Sequence, residues 1–294
     1  MRRVFVTGGT GFIGRALVKE LLDDGDNVVT FSRHKESPIT HPNLEHYYGD
    51  IMDTVSLNNL MSDSDIVYHL AGILGTHTSF DYIRQITNVN IIGTLNILEF
   101  AKKLGIEKVV IPGKPNVWLN PYSISKQAAE DYGKLYDQYF GLKVYLPKWF
   151  NVYGPAQTLE TKKAVPIFIC KALKDEPIPI YGDGTQTGDF IYVNDGARAI
   201  IELEKHGLSH GKVIDIGTGI PTAVNELANL IIDIIGSNSR LEHLPMRLGE
   251  DEHTLLYADT AYMKREVGFE CSKELRDGLR YTIEWYKNNE ESIR

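Results

Sequence analysis

The sequence predicts an α/β protein in which a doubly wound parallel sheet is joined to a smaller C-terminal α/β lobe. Up to Asn151, short β-branched runs alternate with longer amphipathic segments, as in strand–helix–strand units. A glycine-rich turn follows the first of these runs. After Gly154 the alternation gives way to scattered short elements. We therefore predict a Rossmann-type domain over residues 1–160, with returning segments near 189–218, and a ligand-binding lobe in the remainder of 161–294.

The composition is that of an ordinary globular protein, and its acidic charge favours a small ligand over a nucleic acid. The chain has 294 residues, of which 43% are hydrophobic and 24% charged, and its formal net charge is -8. An acidic surface repels phosphate backbones, so nucleic acid is not expected as a partner. Cys170 and Cys271 lack the spacing of a disulfide framework or a zinc site, so no metal is predicted. Because no apolar run resembles a signal peptide or a membrane span, we expect a cytoplasmic protein without membrane contact.

A glycine-rich turn follows the first predicted strand. The run VFVTG leads into GTGFIG, which opens a helix. Glycine permits a positive φ and lets backbone N–H groups approach a pyrophosphate, while the helix N-terminus adds its dipole. A glycine turn without a ligand is the alternative, but the strand–turn–helix context favours dinucleotide binding. The predicted cofactor contacts in this turn are Gly8, Thr10, Gly11, Phe12, Ile13 and Gly14.

The end of the second predicted strand bears on the choice of cofactor. NAD sites usually carry an Asp or Glu there, which binds the adenosine ribose hydroxyls. This strand reads VVTFSRHKE, with Ser32 in place of the carboxylate, Arg33 next and Lys35 two residues later. Both cations suit a 2′-phosphate, so the sequence favours NADP(H) over NAD(H). An ordinary solvated loop is the alternative interpretation of the two cations.

Tyr122 and Lys126 form a YxxxK pair in the helix predicted after the strand KVVIP. A spacing of four residues places both side chains on one helix face. An ammonium group near a phenol favours the phenolate, so we expect the pKa of Tyr122 to fall from ~10 toward the working pH. Tyr122 would then shuttle a proton, and Lys126 would also hold the nicotinamide ribose. The alternative is a plain amphipathic helix with an exposed lysine.

An ordered series of motifs extends over nearly the whole chain: TGGTGFIG, HLAG, NVN before GT, YSISK, FNVYGP and IYGDGTQTGDFIYVND. With these motifs the sequence resembles the extended short-chain dehydrogenases/reductases that act on nucleotide sugars. The branch it resembles contains NDP-sugar 4-epimerases, 4,6-dehydratases and 4-keto reductases. The resemblance supports the catalytic assignment of Tyr122 and Lys126. It further implies cofactor contacts at Asp50, Ile51, Leu70, Ala71, Gly72 and Asn90, and substrate contacts at Thr76, Asn116, Asn151, Val165 and Arg247.

The chain departs from this family at the position of a substrate-facing hydroxyl. Members usually carry a Ser or Thr a few residues past the fifth strand, but this chain reads IPGKPNVW and has Lys114 in that slot. We list Lys114 among the catalytic candidates, with a hydrogen bond to a sugar oxygen or contact with a phosphate as alternative roles. The missing hydroxyl would come from Ser123, Ser125 or Thr76.

Two further departures concern the reaction and the diphosphate. Pro115 and Asn116 stand where a 4,6-dehydratase has its Asp-Glu pair, so a dehydratase is not expected. Gly188 replaces an arginine that grips the diphosphate in relatives, and Lys148 replaces a common arginine ahead of FNVYGP. Substrate affinity or nucleotide identity is therefore expected to differ.

The favoured function is an NAD(P)-dependent nucleotide-sugar epimerase. Tyr122 takes a proton from a sugar hydroxyl, with O4 as the expected site, while hydride passes to the nicotinamide and returns on the opposite face. An NADPH-dependent NDP-4-keto-6-deoxyhexose reductase is the alternative, favoured by Ser32 and Arg33. A nucleotide-binding member that lost catalysis through the change at Lys114 is the second alternative. The resemblance also implies a homodimer that pairs the helices predicted near residues 82–104 and 122–140.

Overall fold

Strands and helices alternate through the N-terminal half of the computed structural model, which describes residues 1–115, 118–251 and 253–289. The strands are β1 (Arg3–Thr7), β2 (Asn27–Ser32), β3 (Leu44–Tyr48), β4 (Ile66–His69), β5 (Lys108–Val110), β6 (Lys143–Trp149), β7 (Asn151–Tyr153), β8 (Ile178–Tyr181), β9 (Thr187–Gly188), β10 (Phe190–Tyr192), β11 (Val213–Ile216), β12 (Thr222–Ala223) and β13 (Leu241–Leu244). The helices are α1 (Phe12–Asp23), α2 (Thr54–Leu60), α3 (Ile83–Thr87), α4 (Gly93–Leu104), α5 (Pro121–Phe140), α6 (Ala164–Leu173), α7 (Val193–His206), α8 (Val224–Ile235) and α9 (Leu275–Asn288).

Seven of these strands form one parallel sheet in the order β11-β6-β5-β4-β1-β2-β3. The order reverses between β1 and β4, where the chain crosses from one half of the sheet to the other. In open parallel sheets, ligands bind at the carboxyl ends of the strands beside such a reversal. The predicted Rossmann-type, doubly wound α/β fold is therefore confirmed.

Helices cover both faces of the sheet because its strands are apolar on both faces. Successive residues of a strand point to opposite faces, and in β1 the side chains of Val4 and Val6 enter one apolar cluster while Phe5 enters the other. The first cluster includes Leu17 of α1, and the second includes Leu98 of α4. All five side chains are inaccessible to solvent, which fixes α1 and α4 on opposite sides of β1.

The helix predicted over residues 82–104 is interrupted by one wide turn. The segment Asn88–Ile92 has π-helical hydrogen bonding and joins α3 to α4. Such turns inside α-helices occur frequently at functional sites, because they redirect a side chain. Here Asn90 is turned inward and is only 3% exposed.

A smaller α/β arrangement occupies the C-terminal half. Its apolar cluster contains side chains of α6, α8 and α9, among them Ile169, Leu227 and Leu279, all fully buried. The parallel pair of β8 and β13 lies beside these helices, with Ile180 in the same cluster. The strand β11 instead returns to the edge of the large sheet next to β6.

Charged side chains form a buried network at the amino end of the sheet. Glu204 of α7 is inaccessible to solvent and accepts hydrogen bonds from Arg2 at 2.9 Å, Lys108 at 2.8 Å and the Tyr68 hydroxyl at 3.3 Å. Arg2 also donates to Asp26 at 2.6 Å. Burial and the neighbouring carboxylate raise the pKa of Tyr68. Every charge in this network therefore has a partner inside the protein.

Within the described ranges, no helix combines the length and apolarity that crossing a bilayer requires. The same residues hold no group of three or more His, Cys, Asp or Glu side chains arranged for a metal ion. Cys170 and Cys271 are both free thiols.

Candidate active site

The turn between β1 and α1 leaves backbone N–H groups free for an anion. Gly8 has a φ of +72°, a conformation that favours glycine. A Cβ on Gly14 would overlap the Gly8 carbonyl oxygen, so only glycine lets α1 begin this close to β1. Gly11 is the N-cap of α1, and neither a capping side chain nor an acid occupies the first turn among the described residues. The N–H groups of Phe12 and Ile13 are thus available to a pyrophosphate.

The end of β2 lies against this turn. The Thr10 hydroxyl donates to Ser32 Oγ at 2.8 Å, and both side chains are buried. Ser32 is therefore engaged by the turn itself. Arg33 and Lys35 follow with exposed side chains and form no hydrogen bond or ion pair with the described part of the chain. Their charges remain available to a ligand, and their role in cofactor choice stays a prediction.

A line of hydrogen bonds crosses the sheet beneath the loop that follows β4. The Ala71 N–H donates to Thr7 Oγ1 at 3.2 Å, and the Thr7 hydroxyl donates to His69 Nδ1 at 2.8 Å. His69 Nε2 donates to Thr94 Oγ1 at 3.0 Å, and the Thr94 hydroxyl donates to the Asn90 carbonyl at 2.7 Å. The Thr94 hydroxyl gives its proton to the Asn90 carbonyl, so His69 Nε2 carries a proton, and a neutral ring then accepts from Thr7 at Nδ1.

His69 is the residue of this region that the sequence interpretation left out of the site. It is 3% exposed, and burial, assisted by the charge of Lys126, lowers its pKa to about 3. A neutral imidazole at this depth joins β4 to β1 and α4 and so fixes the loop of Leu70, Ala71 and Gly72. The HLAG motif could have signalled it, because a polar residue ending a buried strand requires partners.

Asn90 holds the same loop from the other side. Its Oδ1 accepts the Ile73 N–H at 2.8 Å, and its Nδ2 donates to the Ile73 carbonyl and to Ser125 Oγ, each at 3.0 Å. The Asn90 amide thus forms hydrogen bonds within the protein, and these connect the loop after β4 to α5. A direct contact of Asn90 with the cofactor stays a prediction.

Asp50 and Ile51 follow β3 at the same edge of the sheet. Asp50 Oδ1 accepts the Met52 N–H at 2.9 Å and so shapes its own loop. Ile51 is 5% exposed, and its side chain packs so closely on Gly93 that a Cβ there would overlap it. The Ile51 side chain therefore belongs to the core, and the predicted adenine contacts of both residues are untested.

Tyr122 and Lys126 project from the first two turns of α5. The Asn120 side chain caps this helix by accepting the Ser123 N–H at 2.9 Å, and Pro121 opens its first turn. Burial lowers the pKa of Lys126 to about 8, although Glu130 acts in the opposite direction.

The predicted lowering of the Tyr122 pKa is wrong for the protein itself. Burial raises the pKa of the phenol, and the charge of Lys126 does not offset it. The neutral phenol is therefore the stable form until additional positive charge reaches the site.

Lys114 lies directly beside this pair. Its Nζ is 5.4 Å from the centre of the Tyr122 ring and donates to the Pro115 carbonyl at 2.7 Å. Burial lowers the pKa of Lys114 to about 7. Three other ammonium groups contribute to the same shift: Lys163, Lys126 and Lys148.

The three hydroxyls considered as replacements for the missing Ser or Thr differ in how they are used. The Ser125 hydroxyl donates to the Tyr122 carbonyl at 2.8 Å and also accepts from Asn90, so it is fully engaged. Thr76 lies in the loop before α3, and its carbonyl accepts from the Ser79 hydroxyl at 2.7 Å. The Ser123 Oγ is buried and has no hydrogen-bond partner among the described residues. Ser123 is thus the one of the three with a buried, unused hydroxyl.

The two polar side chains predicted to contact the substrate are partly engaged. Arg247 forms a two-pronged ion pair with Glu250, with its Nη2 2.7 Å from Oε1, and stacks on the Tyr181 ring at 4.5 Å. Asn151 lies over Gly188, where an added Cβ would be 2.7 Å from Asn151 Nδ2.

Two other predicted substrate contacts carry less structural information. Val165 is 3% exposed within the C-terminal apolar cluster, so its side chain contributes to packing. Asn116 lies outside the residues that the structure describes. The contacts of both residues with substrate remain predictions.

Asp189, which the sequence interpretation did not single out, organises the loops around Asn151. It is inaccessible to solvent, and its carboxylate accepts the N–H groups of Thr218, Gly219 and Ala258 at 2.8, 2.8 and 3.1 Å. Asp189 thereby ties the loop at Thr218 and Gly219 to the segment at Ala258. The acid in TGDF was the available signal.

The chain is similar to proteins of a known family. The model of the NAD dependent epimerase/dehydratase family matches residues 4–217. A UDP-glucuronate 4-epimerase of Thermodesulfobacterium geofontis is 29% identical, over 98% of this chain and 97% of its own.

Solved structures agree over the whole chain. UDP-glucose 4-epimerase of Thermotoga maritima, crystallised with UDP-glucose, has a TM-score of 0.90 and 28% identity, covering 98% of this chain and 99% of its own. The enzyme WbmF of Bordetella bronchiseptica, crystallised with NADH, has a TM-score of 0.89 and 32% identity, covering 99% of this chain and 94% of its own. The chain belongs to the NAD-dependent epimerase/dehydratase family.

Proposed function

We propose that this protein is a nucleotide-sugar 4-epimerase in which Tyr122 is the acid and base. The observation that carries the proposal is the place of Tyr122 and Lys126. Both lie in the first turns of α5. The N-terminus of α1, with its free N–H groups, lies at the same edge of the sheet. A phenol and an ammonium group at the mouth of a dinucleotide site suit removal of a proton from a hydroxyl as its carbon loses hydride.

The residues present fit a nicotinamide dinucleotide. The turn at Gly8, Gly11 and Gly14 would hold the pyrophosphate, and Lys126 would hold the nicotinamide ribose. The nicotinamide supplies the hydride chemistry, since it accepts a hydride when oxidised and releases one when reduced. With an oxidised nicotinamide bound, the positive charge at the site would rise, and together with Lys126 this would favour the phenolate of Tyr122 that burial alone disfavours.

The chain's own groups then move one proton in each direction. Tyr122 as phenolate takes the proton of the sugar O4 hydroxyl when C4 is oxidised, and as phenol it returns that proton when C4 is reduced. The ketone must turn over between these events for the opposite epimer to form. We assign the C-terminal α/β part, meaning the remainder of 161–294 outside 189–218, to binding the nucleotide sugar. Asn151 and Arg247 are the assigned polar contacts.

The nucleotide is proposed to be UDP. Relatives are named for UDP-glucose and UDP-glucuronate, and the Thermotoga maritima structure contains UDP-glucose.

The choice between NAD(H) and NADP(H) rests on different observations. The family description and the WbmF structure name NAD and NADH, which gives the prediction of NADP(H) no support. Only Arg33 and Lys35 favour a 2′-phosphate, so the two cofactors must be titrated against each other.

A homodimer is proposed from the helices on one side of the sheet. Large apolar side chains are exposed on α3 and α5, including Ile83, Ile124, Leu135 and Tyr139. A second copy of this chain that packs the same two helices against them would cover this surface. Light scattering at micromolar concentration would give twice the monomer mass of 33.1 kDa if the proposal is right and 33.1 kDa if it is wrong.

The experiment for the reaction uses purified protein, added NAD and UDP-glucose or UDP-glucuronate, with proton NMR of the sugar. Formation of the C4 epimer without net change in the cofactor supports the proposal. Consumption of NADPH on a 4-keto sugar without epimer formation would favour the reductase, for which Arg33 is the specific observation. No turnover of any nucleotide sugar, with NAD bound, would favour a member that has lost catalysis.

A further inference from the structure

Lys114 is a partly buried cation for which the protein supplies no anion. Among the described residues no carboxylate lies within ion-pair distance of its Nζ, whose one hydrogen bond goes to the Pro115 carbonyl. Removing an ammonium group from water is costly unless an opposite charge or several acceptors replace the water. The neutral carbonyl of Pro115 meets only part of this requirement.

The groups around Lys114 add positive charge. Lys148 lies next to it, because Gly113 pairs with Lys148 at the end of β5, and Lys163 is the N-cap residue of α6. With Lys126 these side chains form a group that we call the lysine cluster. It consists of Lys114, Lys126, Lys148 and Lys163.

The carboxylates near the lysine cluster interact with groups outside the cluster. Glu130 pairs with Lys134 at 2.7 Å, and Glu250 pairs with Arg247 at 2.7 Å. Asp215 is the residue opposite Lys148 in the sheet, and its carboxylate accepts the Asp259 N–H at 3.2 Å. In the described part of the chain, no member of the lysine cluster forms an ion pair within 4.0 Å.

A nucleotide sugar accounts for part of this charge. Lys163 lies close enough to Glu250 and Arg247 for both charges to affect its pKa, so it belongs to the side proposed for the diphosphate. Lys126 serves Tyr122 and the cofactor ribose, and Lys148 faces Asp215. These assignments leave Lys114, next to the reacting hydroxyl, without a counter-charge.

We propose that Lys114 binds a carboxylate on the sugar ring and that the preferred substrate is a nucleoside diphosphate uronic acid. This inference rests on the proposed 4-epimerase function. In a hexuronate the carboxylate is attached to C5, the neighbour of the C4 that bears the reacting hydroxyl. Lys114 Nζ lies 5.4 Å from the centre of the ring whose hydroxyl meets O4, so one sugar can reach both groups. A neutral hexose would leave the ammonium group without an anion.

The test compares three ligands on the full chain with saturating NAD: UDP, UDP-glucose and UDP-glucuronate, by isothermal titration calorimetry at pH 7. We expect UDP-glucuronate to bind about tenfold or more tightly than UDP-glucose, the factor typical of a hydrogen bond between charged groups. Lys114→Met should abolish this preference and leave UDP affinity unchanged. Lys114→Arg should retain part of it.

Lys174→Met is the matched control, because it removes the same charge from an exposed position at the end of α6. It should keep the full preference for UDP-glucuronate. Equal affinity for the two sugars in the unmodified protein, or a preference that survives in Lys114→Met, would overturn this inference while UDP binding leaves the proposed function intact. If UDP itself fails to bind, both the inference and the proposed function are wrong.

Discussion

The two ends of the central sheet differ in whether their buried charged side chains have ion-pair partners. At the amino end, Glu204 is fully buried and meets Arg2, Lys108 and Tyr68 at hydrogen-bond distance. At the carboxyl end, Lys114 and the rest of the lysine cluster have no ion-pair partner among the described residues. The same strands thus connect a region in which every charged side chain has a partner to a region in which ammonium groups outnumber the available carboxylates.

This contrast separates what stabilises the fold from what serves the ligand. Breaking a buried pair leaves a charge without compensation and is strongly destabilising, so the Glu204 network acts on folding. Unpaired cations lower stability, and a protein retains them where a ligand supplies the missing charge. Burial lowers the pKa of Lys114 to about 7 and that of Lys126 to about 8, and for Lys114 the neighbouring ammonium groups contribute to the shift.

The largest effect is expected at the carboxyl end, from Tyr122→Phe. It removes the hydroxyl that exchanges the proton, and general acid–base catalysis typically contributes ~10²–10⁴-fold. We expect kcat to fall by that factor while NAD affinity and the unfolding free energy stay close to the original. Tyr132→Phe, on the exposed side of the same helix, is the control and should keep full activity. Unchanged kcat in Tyr122→Phe would remove this residue from the mechanism.

At the amino end, Glu204→Gln should act on stability alone. Arg2 and Lys108 lose their shared counter-charge, and loss of one member of a buried ion network costs about 3–5 kcal/mol. Urea unfolding followed by circular dichroism would measure this loss. Glu202→Gln, two residues away and partly exposed, should cost well under 1 kcal/mol. Similar losses in the two variants would mean that the Glu204 network does not differ from a surface ion pair.

A smaller, pH-dependent effect is expected from His69. Its pKa is about 3 in the folded protein and ~6.5 when unfolded, so the unfolded chain binds the extra proton below pH 6.5. Stability from this group is complete above pH 6.5 and is lost as the pH falls toward 3. Between pH 6.5 and 5.5 the loss should be about 1 kcal/mol. Urea unfolding at both pH values, compared with His69→Gln, would show a smaller pH effect in the variant, and an equal effect would contradict this account.

The smallest effect is the change in the unfolding free energy of the protein when one lysine of the lysine cluster is replaced. Lys114→Met removes an unpaired ammonium group and keeps an apolar stem of similar length, so we expect the unfolding free energy to rise by about 0.5–1 kcal/mol. The gain should appear at pH 6, where the lysine is charged in the folded protein, and shrink by pH 8.5, where it is neutral. A loss of stability at pH 6 would show that Lys114 has a structural partner.

The sequence was sufficient for the fold and for the glycine turn. Alternation of β-branched runs and amphipathic segments depends on local pattern, and the conformations at Gly8 and Gly14 follow from their places in one strand–turn–helix unit. The helix that the sequence placed around YxxxK is also present, since Tyr122 and Lys126 both lie in the first turns of α5.

The remaining features depend on contacts between distant segments. The predicted direction of the Tyr122 pKa was wrong because spacing does not report burial, which dominates here. His69 acquires its role from Thr7 and Thr94, which lie far from it in sequence. Asp189 likewise acquires its role from the N–H groups of Thr218 and Ala258, which lie far from it in sequence.

The most direct test of the central claim follows deuterium placed on C4 of the nucleotide sugar. Purified protein with bound NAD is incubated with UDP-glucuronate deuterated at C4, and both epimers are analysed by NMR and mass spectrometry. We expect the deuterium to remain on C4 in both epimers, because Tyr122 exchanges only the hydroxyl proton and the hydride returns to the carbon it left. Epimers that have lost the label, or label that accumulates in free cofactor, would contradict the account.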